Sequence, residues 1–329
     1  MIEKTLNPKI FDTDVEQVPI RRGFGEGLVI AAEKDGNVVA LCADLTDSTQ
    51  MKVFRDMFPD RFIEIGIAEQ NLASVASGMA AMGKVPVISS YAMFSPGRNW
   101  EQIRTTICYN NQKVIIAGSH AGVSVGPDGG THQALEDIAL MNVIPNMTVV
   151  SPCDTIEAKK AIIALLGDDV KTPAYIRLAR EKTPVITTEG SPFKLGKAKL
   201  LFDNGHAEVV VFACGALVHK ALVVASELQK EGRLVNVVNV HTIKPLDVDM
   251  VVDQARICGA VVVVEEHQKF GGLGSVIAEC LSEKFPVPIE FVAVNDRFGQ
   301  SGTPDELIKE YNLDEEDIKK AIEKVVGRK

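Results

Sequence analysis

The chain has 329 residues, of which 46% are hydrophobic and 24% charged. That is the make-up of a folded globular protein, and the length suits two domains of ~150 residues each. The net charge of −9 comes from 35 basic and 44 acidic residues; with no basic cluster, it weighs against nucleic acid or an anionic membrane as partner. No run approaches the ~18 apolar residues of a membrane span. The N-terminus MIEKTLNPKIFDTD lacks an apolar signal core. Six scattered cysteines without a CxxC pair read as buried thiols in a reducing compartment, so a cytoplasmic protein is expected.

From about residue 38, β-rich runs alternate with helical patterns. Strands are predicted at 38–44, 62–67, 86–91, 114–118, 147–152 and 174–179, with helices near 49–57, 69–83, 99–109, 133–140 and 154–166. The central runs are apolar on both faces, as a parallel sheet covered by helices on each side requires. Between Arg180 and Phe193 the pattern stops, and EKTPVITTEGSP reads as a linker. A second α/β unit follows, with strands at 208–215, 233–240, 259–266 and 288–294 and helices near 217–230, 247–256, 274–284 and 314–326. The fold class is α/β, two doubly wound, mostly parallel sheets.

Ligands of open α/β sheets bind at the carboxyl ends of the strands. Asp44 and Ser48 follow the first strand, Glu69 the second, and Tyr91 and Phe94 the third. The fourth runs into a long loop that carries His120, Asp128 and His132 among five glycines and prolines. Glu69 reads either as a helix-start glutamate favoured by the helix dipole or as a desolvated carboxyl that shares a proton with a ligand nitrogen. The spacing His120-x7-Asp128-x3-His132 permits a metal site, although no HExxH-type helix supports it. Tyr91 and Phe94 are core rings or a stacking wall for a heteroaromatic ligand. Arg22 and Arg180, each beside an element end, are surface charges or phosphate partners. Gly271-Gly272-Leu273-Gly274 matches no phosphate-loop pattern and reads as a packed turn, and Thr303-Pro304 reads as a helix cap.

In this order, Ala43-Asp44-Leu45-Thr46 with Ser48, Gly66-Ile67-Ala68-Glu69-Gln70, Gly126-Pro127-Asp128-Gly129-Gly130-Thr131-His132-Gln133, Leu178-Ala179-Arg180 and Phe298-Gly299-Gln300-Ser301-Gly302 resemble the transketolase family of thiamine diphosphate enzymes. The resemblance runs from about Arg22 to the C-terminus and corresponds to the second half of a full-length transketolase. It implies a pyrimidine-binding domain over 1–186 and a transketolase C-terminal domain over 187–329. Glu69 would hydrogen-bond the N1′ nitrogen of the cofactor's aminopyrimidine, Phe94 would stack on that ring with Tyr91 beside it, and Asp44 would lie near the thiazolium. Asp128 would meet a substrate hydroxyl and His132 the oxygen near the reacting carbon. Arg22, Ser48, His120 and Arg180 would hold the sugar phosphate.

Whole-chain members carry, upstream, a GDG motif and a later Asn that bind the diphosphate and its metal. Gly167-Asp168-Asp169 is not followed by glycine, so no metal ligand is assigned to this chain. Mg²⁺, or Ca²⁺ or Mn²⁺ in its place, is expected mainly on a separate N-terminal subunit. The chain is therefore expected to be the C-terminal subunit of a split transketolase, active only with that partner in an α2β2 heterotetramer built on a C2 dimer. It would move a two-carbon ketol between sugar phosphates, as in the pentose phosphate pathway. The Ala68-Glu69-Gln70 context is closer to 1-deoxyxylulose-5-phosphate synthase. That enzyme, the β chain of a 2-oxoacid dehydrogenase and a non-catalytic binding paralogue are the alternatives.

Overall fold

The computed structural model describes residues 1–329. Its strands are, in chain order, β1 (Gln17–Pro19), β2 (Val38–Cys42), β3 (Phe62–Glu64), β4 (Val85–Tyr91), β5 (Ile115–Ser119), β6 (Thr148–Val150) and β7 (Ala174–Leu178). After them come β8 (Lys182–Pro184), β9 (Lys199–Phe202), β10 (Val209–Ala213), β11 (Val235–Asn239), β12 (Thr242–Lys244), β13 (Val261–Gln268) and β14 (Ile289–Val294). The large sheet has the order β12-β6-β7-β5-β4-β2-β3, parallel except for β12. The small sheet is β14-β13-β10-β11-β9, with only β9 antiparallel. Every residue of β2, β5, β7, β10 and β11 is buried, which is why these runs lack the alternation of a one-sided sheet. No helix is long and apolar enough to cross a membrane.

The helices of the first half are α1 (Ile20–Lys34), α2 (Met51–Met57), α3 (Glu69–Ala81), α4 (Trp100–Gln102), α5 (Asp137–Asn142) and α6 (Thr155–Leu166). Those of the second are α7 (Val218–Lys230), α8 (Val248–Cys258), α9 (Leu273–Lys284), α10 (Pro304–Glu310) and α11 (Glu315–Val326). The α10 cap is a reciprocal box between Thr303 and Glu306, as the Thr-Pro start suggests. Beyond α4 the helix predicted to Tyr109 widens, and the Tyr109 N–H donates to the Arg104 carbonyl five residues back at 3.0 Å.

Two features depart from the sequence reading. Helix α1 lies ahead of the first predicted strand, in Ile-Arg-Arg-Gly-Phe-Gly-Glu-Gly, where three glycines mask a helical pattern. Those glycines serve close packing: a Cβ on Gly23 would sit 1.7 Å from the Thr155 carbonyl oxygen of α6, and one on Gly27 2.5 Å from Ile162 Cγ2. The segment read as a linker is not slack either. Its β8 pairs with β1, and the buried Asp154 carboxylate accepts the Ile186 N–H at 2.8 Å and the Thr187 hydroxyl at 2.9 Å. One apolar core cluster spans both sheets, joining Leu41 and Ile116 to Phe212 and Val263. Gly23→Ala is expected to push α1 off α6 and cost about 1–3 kcal/mol, read as a thermal midpoint lowered by several degrees.

Candidate active site at the carboxyl edge of the large sheet

Parallel pairing places the ends of β2, β4, β5 and β7 on one edge, and the predicted residues follow those ends. At the β2 end, Asp44 takes a left-handed backbone (φ +56°). Its N–H donates to Glu64 Oε1 at 2.7 Å, and the Thr46 hydroxyl donates to Glu64 Oε2 at 2.8 Å. This corner holds the exposed Asp44 and half-buried Ser48 at the rim.

Glu69 is the first residue of α3 and only 3% exposed. Its Oε2 is buried without a hydrogen-bond partner, with one Arg98 nitrogen 3.9 Å away. The Asn99 side chain donates to the Glu69 carbonyl at 2.9 Å and pins this helix start to the turn after β4. A buried, under-bonded carboxylate oxygen costs free energy unless a ligand donor meets it. That exceeds what a dipole-stabilised surface glutamate needs.

Tyr91 and Phe94 are half-buried, with near-parallel rings whose centroids lie 6.2 Å apart. Tyr91 also stacks on the His120 imidazole at 3.8 Å, and His132 meets the Phe94 ring edge-on at 5.4 Å. These four rings form one aromatic shelf. His120 adopts φ +56°, a backbone uncommon outside glycine although histidine takes it more readily than most residues. Arg21 donates from a terminal guanidinium nitrogen to His120 Nε2 at 2.8 Å, so Nδ1 carries the proton and donates to the Ser119 hydroxyl at 2.9 Å. Burial first, then the charges of Arg21, Arg180 and His132, push the His120 pKa down to about 3. Both ring nitrogens are engaged, so the His-x7-Asp-x3-His spacing does not offer His120 to a metal.

Asp128 and His132 lie on the glycine-rich loop. Asp128 is 3.6 Å from Arg180, and Arg180 also donates to the Val125 carbonyl. Arg22 is not part of the cluster: its Nε bonds Glu26 at 2.9 Å and the side chain is largely exposed. Arg21 takes that place. Burial and the neighbouring Arg180 both lower its pKa, and its Nε has no partner. The signal for Arg21 was present, because Ile20, Phe24 and Leu28 mark the inward stripe and Arg22–Glu26 is an outward i,i+4 pair. Two like-charged guanidinium groups lie around a neutral imidazole, one with a spare N–H, a donor set complementary in charge to an anion.

The turn Gly271–Gly274 binds no outside anion. The buried Glu265 carboxylate already accepts the N–H groups of Leu273 and Gly274 at 2.7 and 2.8 Å. Burial nevertheless lifts its pKa to about 7.

Residues 16–185 match the family described as "Transketolase, pyrimidine binding domain", and residues 196–318 match "Transketolase, C-terminal domain". The chain is 39% identical over 319 residues to the 6-deoxy-6-sulfo-D-fructose transketolase subunit SqwH of Clostridium sp. (strain MSTE9), covering 97% of this chain and 98% of that one. It is 34% identical over 308 residues to one of the subunits of the apulose-4-phosphate transketolase of Phocaeicola vulgatus, covering 93% and 97%. A solved structure described as a split gene transketolase, inactive β4 tetramer, superposes with a TM-score of 0.87 at 40% identity over 94% of this chain and 99% of that one.

An NMR titration of His120 in the folded chain is expected to show a neutral imidazole from neutral pH down to about pH 5. An inflection near 6.5, the ordinary value, would contradict the arrangement. Because folding depresses this pKa, the unfolded chain takes up the proton first, and His120 reduces stability as pH falls from about 6.5 toward 3.

Proposed function

The chain belongs to the transketolase family, and on that premise we propose that it is the C-terminal subunit of a split, thiamine diphosphate-dependent transketolase. In this reading residues 1–186 form the pyrimidine-binding domain and 187–329 the transketolase C-terminal domain. The observation that carries the proposal is one sheet edge with two kinds of ligand contact. The orphan Glu69 oxygen beside the Tyr91–Phe94 shelf suits a protonated heteroaromatic ring, and Arg21, Arg180 and His120 suit an anion.

The buried Glu69 oxygen and the half-buried Phe94 ring fit the aminopyrimidine end of the cofactor. When bound, thiamine diphosphate supplies the nucleophilic carbon and electron sink that cleavage of a ketose needs. Glu69 would hold a proton at the pyrimidine N1′, and Phe94, flanked by Tyr91, would stack on the ring. Asp44 would lie on the thiazolium side. We place the diphosphate, with its Mg²⁺, Ca²⁺ or Mn²⁺, mainly on an N-terminal partner subunit.

The substrate is a ketose capped by a tetrahedral anion, a phosphate in the first instance. The relatives named for a sulfo-sugar and for a sugar phosphate both fit that description. Arg21, Arg180, His120 and Ser48 orient the anion at the pocket mouth, and Arg22 drops from this set. Asp128 accepts a substrate hydroxyl, and His132 donates to the oxygen at the reacting carbon. The product of the cycle is a two-carbon ketol moved to an acceptor aldose, as in pentose phosphate chemistry.

Assembly follows the same logic. The outward face of α3 carries Asn71, Ser74, Val75 and Gly78, small enough for a partner helix to approach closely, and we assign it to the interface that bears the cofactor in an α2β2 heterotetramer. Six unpaired cysteines, five of them buried, suit the reducing cytoplasm.

Mixing the chain with its N-terminal subunit, thiamine diphosphate and Mg²⁺ is expected to yield ketol transfer that neither subunit gives alone. Transfer by this chain unaided would overturn the split-enzyme reading, and CO₂ release from pyruvate would reassign the reaction. Glu69→Gln is expected to lower kcat by about 100-fold or more while subunit assembly, followed by sedimentation, is unchanged. Arg21→Ala is expected to raise the KM for the anionic sugar about 10- to 100-fold, the loss of one charge-assisted hydrogen bond, and Arg22→Ala to leave it unchanged. The reverse pattern would restore Arg22 to the site.

A further inference from the structure

The loop that carries Asp128 and His132 belongs to the first half of the chain, yet its course is set from the second. Strand β13 reads Val-Val-Val-Val-Glu-Glu-His-Gln: four apolar residues lie in the small sheet, and an acidic end projects to the junction between the halves. There the buried Glu266 Oε1 accepts the Ser124 N–H at 2.6 Å. The carboxylate lies so close to the loop backbone that a Cβ on Gly122 would sit 2.3 Å from Oε1 and 2.4 Å from the carboxyl carbon. Gly122 also has φ +94°, which a side chain would strain.

The backbone of Glu266 is anchored in turn. Its carbonyl accepts from an Arg177 terminal nitrogen at 2.7 Å, while Arg177 Nε donates to buried Asp137 at 2.9 Å and Tyr175 donates to the same oxygen at 2.7 Å. The far side of the loop is held by Gln133, whose amide donates to the carbonyls of Val123, Gly126 and, from the second half, Gln300 at 3.2, 3.1 and 2.9 Å.

We propose that Glu266 is a positioning residue for sugar recognition: by gripping the start of the 122–133 loop it sets where Asp128 and His132 stand over the carboxyl edge of the large sheet. The inference rests on the assignment of those two residues to the substrate. Ser124 lies four residues before Asp128, with Gly126 (φ +82°) between them, so loss of the grip frees the hinge that aims the loop. A shift of ~1 Å in a substrate-orienting group is worth about 100-fold in rate.

The test uses the assembled enzyme. Glu266→Ala is expected to lower kcat/KM for the donor sugar by about 100-fold and to speed deuterium exchange at the 122–130 amides. Glu266→Gln, which keeps an acceptor oxygen at the same reach, is expected to recover most of that loss. Thiamine diphosphate affinity and subunit assembly stay at wild-type values in both. Gly122→Ala drives a methyl group into the carboxylate and is expected to reproduce the defect in a chain that retains Glu266; combined with Glu266→Ala it adds only the cost of the strained φ of +94°, because both break one contact. Wild-type kcat/KM in Glu266→Ala, or a Glu266→Gln variant as impaired as Glu266→Ala, overturns the proposal. Asp128→Asn and His132→Gln separate the two readings. If they are impaired while Glu266→Ala is not, only the positioning role fails; if they too are unimpaired, the substrate assignment of the loop fails.

Discussion

Parallel hydrogen bonding between β2, β4, β5 and β7 points four strand ends the same way, and nearly everything at the site follows from that direction. Residues as distant in sequence as Asp44 and Arg180 share an edge because each lies just beyond a strand whose own residues are buried on both faces. The sheet itself has no polar surface to offer a ligand. Chemistry is left to the turns, and the turns are shaped by local devices: a left-handed His120, a Glu64 carboxylate bridging the 44–66 corner, and an Asn99 amide holding the start of α3.

The electrostatics of this edge are unbalanced in a useful sense. Arg21 and Arg180 stand near enough to depress one another's neighbour, His120, and Asp128 offsets only part of that charge from 3.6 Å. The imidazole stays neutral and acts as an acceptor for Arg21, so the guanidinium is oriented without being neutralised. At the junction the opposite holds. Arg177 and Asp137 are a buried ion pair of the first half, with Tyr175 on the same Asp137 oxygen, and Arg177 also reaches the Glu266 carbonyl of the second half at 2.7 Å. A buried pair of this kind adds little net stability, but removing one partner would strand the other charge.

Strand ends and loop composition make the clustering of most candidate residues legible in the sequence. Glu69, Tyr91, Phe94, His120, Asp128, His132 and Arg180 each follow an apolar run whose strand character is evident from its β-branched residues. The exchange of Arg21 for Arg22 is a matter of helical phase, and it required seeing that a glycine-rich segment is a helix at all. Gly23 and Gly27 are there because α6 leaves no room for side chains, a fact about a helix far along the chain, and Gly25 because Gln50 lies against it. The 181–192 segment read as slack for the same reason: its order comes from Asp154 and from β1, neither of which is local. Glu266 reads in sequence as the polar tail of a strand. Its role depends on a loop 142 residues distant.

Strand β12 offers a last lesson. It comes from the second half, yet it closes the outer side of the large sheet by pairing antiparallel with β6, and the Ser151 N–H donates to the His241 carbonyl beside it at 2.8 Å. Were the chain divided between the two halves, β6 would be left as an open edge with unanswered backbone groups, a template for aggregation. The two halves share one sheet, so neither is a self-contained piece.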